Sequence, residues 1–337
     1  MAQDHKDEDL TTMGKSPKTV LNKSPHSPIA DSGGRVLERG IQQQQMGEFQ
    51  AALITLQQAL AVFEQTRHKK GQIKALYYLG LTYYSLGNYV EAESTAKLGL
   101  TIATTIGDLR LKAQVLSLMG NTYRHQDRYD AALEAQQQSL RLFLQTKDRA
   151  GAMATLNNLG LVYKAQGKHH DAIACQKRAL SFAQSLGDQL TVGQVLKNLG
   201  NAYYSLGNYP EAIDYYQQRL ELAQAMAEPR TALQVFRNLS NTAYALGDYK
   251  QAIRYGHERL ALALELQDSR AHEQTLGNLG VGYEALGEYE QAAQHYEKRL
   301  KLARQLGDRR VEQQSLNSLR SVCYTLGDYA RIMQYET

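Results

Sequence analysis

Cysteine and proline are scarce in this chain of 337 residues, which holds two of the first and five of the second. Cys175 and Cys323 stand far apart and are poor disulfide candidates, so each is expected to be a buried, inert thiol. No apolar run is long enough to span a bilayer. The first residues carry Asp4, Asp7, Glu8 and Asp9 and no apolar stretch, which argues against a secretory or transit signal and makes the cytoplasm the expected compartment. An excess of charge of one sign is also missing: 38 Lys and Arg against 34 Asp and Glu leave +4, well short of the footprint of a nucleic-acid binder. Catalytic constellations are absent. The histidines (His68, His125, His169, His170, His257, His272, His295) offer no pair at metal-binding spacing matched by a third ligand. Gly14-Lys15-Ser16 matches the end of a phosphate-binding loop, but Asp9 stands where the first glycine belongs and no strand precedes it. No enzymatic activity, metal or cofactor is expected.

What the chain does have is a period of 40 residues without insertion or deletion. A glycine column runs through Gly47, Gly87, Gly167, Gly207, Gly247, Gly287 and Gly327, with Asp127 in its one gap. Two residues on stand Phe49, Tyr89, Tyr129, Tyr209, Tyr249, Tyr289 and Tyr329, interrupted by His169. Three further on stands Ala52 and its equivalents to Ala292, and Leu60 to Leu300 close the units. Fixed-period self-similarity dictates a stack of like elements in place of one large core.

Within a unit, apolar residues at helical spacing (Leu196, Leu199, Tyr203, Leu206) predict a first helix, A, over about residues 190–206. A second, B, follows over 209–225. Gly207 and its equivalents end helix A in a left-handed turn, and Pro210 falls in the first turn of helix B, where a missing N–H costs nothing. Gly200 and Ala212 are small where the two helices approach. Residues 1–33 differ from all this. They contain three prolines, as Ser16-Pro17, Ser24-Pro25 and Ser27-Pro28, and no helical pattern, and read as a disordered tail before a repeat domain over 34–337.

The pattern Leu-Gly-x-x-Tyr, Gly-x-Tyr-x-x-Ala and a closing Leu resembles the tetratricopeptide repeat. The 40-residue form is similar to the spindle-orientation adaptors of the Leu-Gly-Asn type and to many bacterial repeat proteins. The resemblance covers about residues 34–337 and implies an all-α, right-handed superhelical solenoid of antiparallel helix pairs, seven full repeats and a truncated eighth. It also implies a concave groove lined by the A helices that holds a peptide segment of a partner.

The face of helix A opposite its packing stripe then supplies the candidate binding residues. One column is Asn158, Asn198, Asn238 and Asn278; a second includes Gln194, Gln234 and Gln274; a third is Asn121, Asn201 and Asn241. Lys197, Arg237, Arg124 and Lys164 add positive charge, and Tyr204 and Tyr244 add aromatic area. Amides both donate and accept, so a ladder of them suits the backbone of a peptide, and tyrosines combine apolar area with a polar tip. The competing reading has the Asn column bond from helix to helix inside the stack. Lys197, Asn201 and Asn238 match the first members of the clamp by which chaperone-binding repeats hold a terminal carboxylate, but Gln274 and Asn278 stand where two bases belong. Arg237 still favours an acidic or C-terminal segment. Arg219, Arg259 and Arg299 form a further column near the end of helix B, pointing either to acids of the next unit or to the groove rim.

The expected function is a protein–protein interaction scaffold or adaptor, for complex assembly or signalling. The alternatives are a peptide-sensing regulator and a scaffold that self-associates through an uncapped C-terminal repeat.

Overall fold

The computed structural model describes residues 28–335. Among the described residues there are sixteen helices and no strand. In chain order they are α1 (Pro28–Gln45), α2 (Phe49–Gln65), α3 (Lys69–Ser85), α4 (Tyr89–Ile106), α5 (Leu109–His125), α6 (Tyr129–Gln145), α7 (Arg149–Ala165) and α8 (His169–Leu186). There follow α9 (Gln189–Ser205), α10 (Tyr209–Ala225), α11 (Pro229–Leu246), α12 (Tyr249–Glu265), α13 (Ser269–Ala285), α14 (Tyr289–Leu306), α15 (Arg309–Leu326) and α16 (Tyr329–Tyr335). Odd-numbered helices are the A helices and even-numbered ones the B helices, and the ranges expected for α9 and α10 agree to within a residue. No helix among the described residues is long and apolar enough to cross a membrane.

The chain divides into two compact units, unit 1 up to Val195 and unit 2 from Leu196. In unit 1 each helix from α1 to α8 packs on the next, and successive A helices also touch, α1 with α3, α3 with α5 and α5 with α7. Leu37, Leu56 and Phe63 form the core at its start, and Ile73, Tyr77, Val115, Leu118 and Met119 the core further on. In unit 2 each helix from α10 to α16 packs on the next, around Tyr216, Val235, Phe236 and Leu239 and then around Ala292, Tyr296, Leu300 and Leu319. Alternation of apolar and polar faces along each helix is what lets one repeat cover the next.

Three expectations need adjusting. Helix α1 begins at Pro28, so residues 28–33 belong to the first repeat. Within this segment a Cβ at Gly33 would come within 2.9 Å of Val62 and Phe63, a close approach that only glycine permits. The pairs Ser16-Pro17 and Ser24-Pro25, and the tail reading over residues 1–27, lie outside the described residues. Leu206 is not part of the packing face: it follows the last residue of α9 and is 37% exposed, while Ala202 is buried in its place. Cys323 is a buried thiol as expected, but Cys175 is only partly buried; burial pushes both thiols above their usual pKa.

Turns follow the glycine column. Gly207 has φ +74° and Asp127, in the column's gap, has φ +56°, the left-handed geometry that closes a helix. Between repeats, aspartates cap the A helices. The Asp108 carboxylate accepts from the Leu111 N–H at 3.1 Å, Asp148 from Gly151 at 2.9 Å and Asp268 from Ala271 at 2.9 Å. A cation from the preceding A helix joins two of these caps, Lys70 on Asp108 at 3.2 Å and Arg110 on Asp148 at 2.8 Å.

Candidate functional site

In several repeats helix A carries a glycine where helix B crosses it, and a B side chain fills the space. A Cβ at Gly120 would meet Gln136 at 2.6 Å, at Gly160 Gln176 at 2.4 Å, at Gly200 Tyr216 at 2.4 Å and at Gly280 Tyr296 at 2.4 Å. These B side chains are buried but polar at the tip, and a buried polar group needs a partner. Gln136 and Tyr216 find one in candidate residues, Asn121 and Asn201, whereas Gln176 finds the Asn157 carbonyl and Tyr296 finds Glu284.

In unit 1 the Gln136 Nε2 donates to Asn121 Oδ1 at 2.8 Å and to the Ser117 carbonyl at 2.9 Å. The Asn158 amide donates to Ser117 Oγ at 3.4 Å, from α7 to α5. Asn121 and Asn158 thus both bond within the stack. Arg124 is partly buried beside His125, with Nη2 and Nε2 at 2.9 Å, and His125 stacks on Tyr89 at 4.9 Å. Lys164 is exposed and Gln194 partly buried.

Unit 2 brings candidates together around one pocket. Asn201, Tyr204, Asn238 and Asn241, with Tyr216 and Thr242, line a cavity of about 190 Å³. The Tyr216 hydroxyl donates to Asn201 Oδ1 at 2.7 Å, closing the bottom, and burial pushes that phenol far above its usual pKa, so it stays a donor. The Thr242 hydroxyl is turned back onto the Asn238 carbonyl at 2.7 Å. Asn238 is partly buried and Asn241 exposed. Tyr204 is 40% exposed and packs its ring 5.5 Å from Tyr209; Tyr244, equally exposed, packs 5.1 Å from Tyr249. Gln234, Arg237 and Asn278 are exposed and Lys197 is partly buried. Asn198 departs from the expected open face: only 8% of it is exposed. Gln274 accepts a hydrogen bond from Arg259 Nη2 at 3.2 Å.

Sequence reasoning missed Tyr216 and Thr242. The column that contains Tyr216 reads Leu56, Ala96, Gln136, Gln176, Tyr216, Gly256 and Tyr296, so no shared residue marks it. It also missed a larger cleft of about 560 Å³ in unit 2, where Phe236, Leu262 and Pro229 form an apolar floor beside Glu228, Glu258 and Glu265. Among the described residues no three His, Cys, Asp or Glu side chains are grouped to hold a metal.

The repeats match known proteins. A family model described as tetratricopeptide repeat matches residues 35–105, 73–145, 111–185, 151–225 and 230–305. No curated protein matches the sequence. Among solved structures the chain is similar to a signal transduction ATPase with numerous domains that has a tetratricopeptide repeat sensor, from Pyrococcus horikoshii, with TM-score 0.68 and 16% identity over 92% of this chain and 52% of that one. The chain therefore spans about half the length of that protein. It is also similar to BtubC from P. vanneervenii, with TM-score 0.56 and 20% identity over 72% and 93% of the two chains. For the apo form of RapI the values are 0.57 and 12% over 82% and 99%. At such identities the likeness shows a shared fold.

Proposed function

We propose, since the chain belongs to the tetratricopeptide repeat family, whose fold is in general a non-catalytic scaffold for protein interactions, that it is an adaptor whose unit 2 grips a peptide segment of another protein. The observation that supports this reading is the convergence of Asn201, Tyr204, Asn238 and Asn241, four residues proposed from sequence, on one pocket. Their amides offer donors and acceptors to a peptide backbone. Each bond contributes about 0.5–1.5 kcal/mol net, so several must act together. Tyr204 and Tyr244 present apolar area at 40% exposure, a combination enriched at interfaces. Exposed Arg237 favours a segment that is acidic or ends in a carboxylate.

The test starts from capture with the full chain, narrowing of the captured protein to a synthetic peptide, and measurement of its Kd by fluorescence anisotropy. A chain carrying Asn238→Ala with Asn241→Ala is expected to bind the peptide at least tenfold more weakly, with circular dichroism and Tm unchanged. Unchanged affinity would move the site off this pocket and sink the reading.

A further inference from the structure

Three arginines, Arg219, Arg259 and Arg299, occupy equivalent places near the ends of α10, α12 and α14. The last of them is fully served. Arg299 Nε donates to Glu273 of α13 at 2.6 Å, and its Nη2 donates to Gln314 of α15 at 3.2 Å. Its guanidinium lies against Gly277, where a Cβ would come within 3.1 Å of Cζ.

Arg259 sits in the same frame one repeat earlier and lacks half of it. Its Nη2 donates to Gln274 at 3.2 Å, the counterpart of Gln314. In the place of Glu273 stands Leu233, and in the place of Gly277 stands Arg237. Arg259 is only 2% exposed, and its Nε and Nη1 have no hydrogen-bond partner. Among the described residues it makes no ion pair. Burial and the positive charge of Arg237 push its pKa down to about 10, against the pull of Asp268 and Glu273. A buried charge with open donors is costly unless it is paired, and the free Nε–H of Arg259 is the group that in Arg299 donates to the Glu273 carboxylate.

We propose that Arg259, with Arg237 beside it, is a seat for a carboxylate of the bound segment, supplying from outside the charge that Glu273 supplies to Arg299 from within. The seat rests on the peptide-adaptor reading and makes it more specific: it assigns a helix B arginine to the ligand, where the sequence pattern had placed only helix A residues.

Two sources share this chemistry, an Asp or Glu side chain and a chain terminus, and two probes separate them. Acetyl-hexaglutamate amide has side-chain carboxylates only, and acetyl-hexaalanine with a free C-terminus has the terminal one only. Acetyl-hexaglutamine amide is the neutral control. Titrations of the full chain, followed through the side-chain Nε–H signal of Arg259 by NMR, are expected to show a saturable shift with one carboxylate probe and none with the control. Arg259→Met is expected to weaken that probe at least tenfold and to raise the Tm of the ligand-free chain by about 2–4 °C, since an unpaired buried charge is removed. Arg259→Lys, which keeps the charge without the Nε–H, is expected to recover only part of the affinity. The seat is overturned if both carboxylate probes behave as the control does. It is equally overturned if Arg259→Met leaves their affinity unchanged or lowers Tm as a packing residue would. A groove that binds a neutral peptide through Asn238 and Asn241 survives that result, whereas the loss of the Asn238 and Asn241 effect alone leaves the Arg259 titration to stand by itself.

Discussion

In unit 1 the glycines Gly120 and Gly160 each receive an amide, Gln136 and Gln176, whereas in unit 2 Gly200 and Gly280 each receive a phenol, Tyr216 and Tyr296. The helix crossing is the same, and so is the need to satisfy a polar tip at its far side. The amide is short and bonds to backbone and neighbours at the crossing itself, Ser117 and Asn121 for Gln136 and the Asn157 carbonyl at 3.1 Å for Gln176. The phenol is longer and carries its hydroxyl to Asn201 at the floor of the pocket, or to Glu284. The filling of a packing slot therefore decides which atoms of the candidate face are already engaged from behind. In both units the slot side chain donates to the Oδ1 of the asparagine above it, Gln136 to Asn121 and Tyr216 to Asn201, and in unit 2 the tyrosine also lines a pocket.

The crossing itself is the place to break the comparison. Gly200→Ala places a methyl group 2.4 Å from the Tyr216 ring and is expected to cost about 1–3 kcal/mol in chemical denaturation. At Gly99 a Cβ meets nothing closer than 3.5 Å, so Gly99→Ala is expected to stabilise by up to about 1 kcal/mol through helix propensity. If both substitutions destabilise equally, close packing is not what these glycines provide.

The two amides sharpen the picture next. Gln136 also accepts from Ser117 Oγ at 3.3 Å, whereas the Gln176 Oε1 has no partner. Gln136→Leu strands Asn121 and the Ser117 carbonyl and is expected to cost about 1–3 kcal/mol. Gln176→Leu, which removes an unsatisfied oxygen as well as one bond, is expected to cost less, and a reversed order in urea melts would refute this account. Tyr216→Phe removes a single hydrogen bond while keeping the ring, with an expected loss of about 0.5–1.5 kcal/mol. The same variant leaves Asn201 without its donor, so binding of the captured peptide is expected to change along with stability.

Acid separates the units most gently. Asp108 is partly desolvated, which raises its pKa, but the Leu111 N–H and Lys70 outweigh this and hold the carboxyl below its ordinary value of 3.8. A group more acidic in the folded chain stabilises it above the unfolded pKa and loses that contribution as pH falls through the folded one. Amide hydrogen exchange in α5 is therefore expected to speed up as pH falls below about 4 relative to α13, after correction for intrinsic rates, because the Asp268 cap has no cation partner among the described residues. Lys70→Ala is expected to shrink this difference, and exposed pairs of this kind carry only a modest share of stability.

Much of the fold was legible in the sequence because its causes are local. The left-handed turns at Gly207 and its equivalents, the aromatic after each, and the closing Leu recur in register, and each acts within one helix pair. The start of α1 was not legible, because Gly33 is explained only by Val62 and Phe63 across the crossing. The candidate site was legible by column and not by residue. Spacing put Asn198 and Asn238 on one face of their helices, yet Asn198 is buried and Asn238 borders a pocket. Neither Tyr216 nor the half-served guanidinium of Arg259 has a signature, since both depend on what stands in a different helix.

The sequence alone determined the helix pairs, their period and the membership of Asn201, Asn238 and Asn241 in a polar face, because helical periodicity is a property of neighbouring residues. Only the tertiary structure decided which of those polar atoms are spent holding the stack together. That choice rests on pairs such as Gln136 with Asn121, Tyr216 with Asn201 and Arg299 with Glu273, fifteen to twenty-six residues apart. It changes with every substitution in the variable slot between two helices.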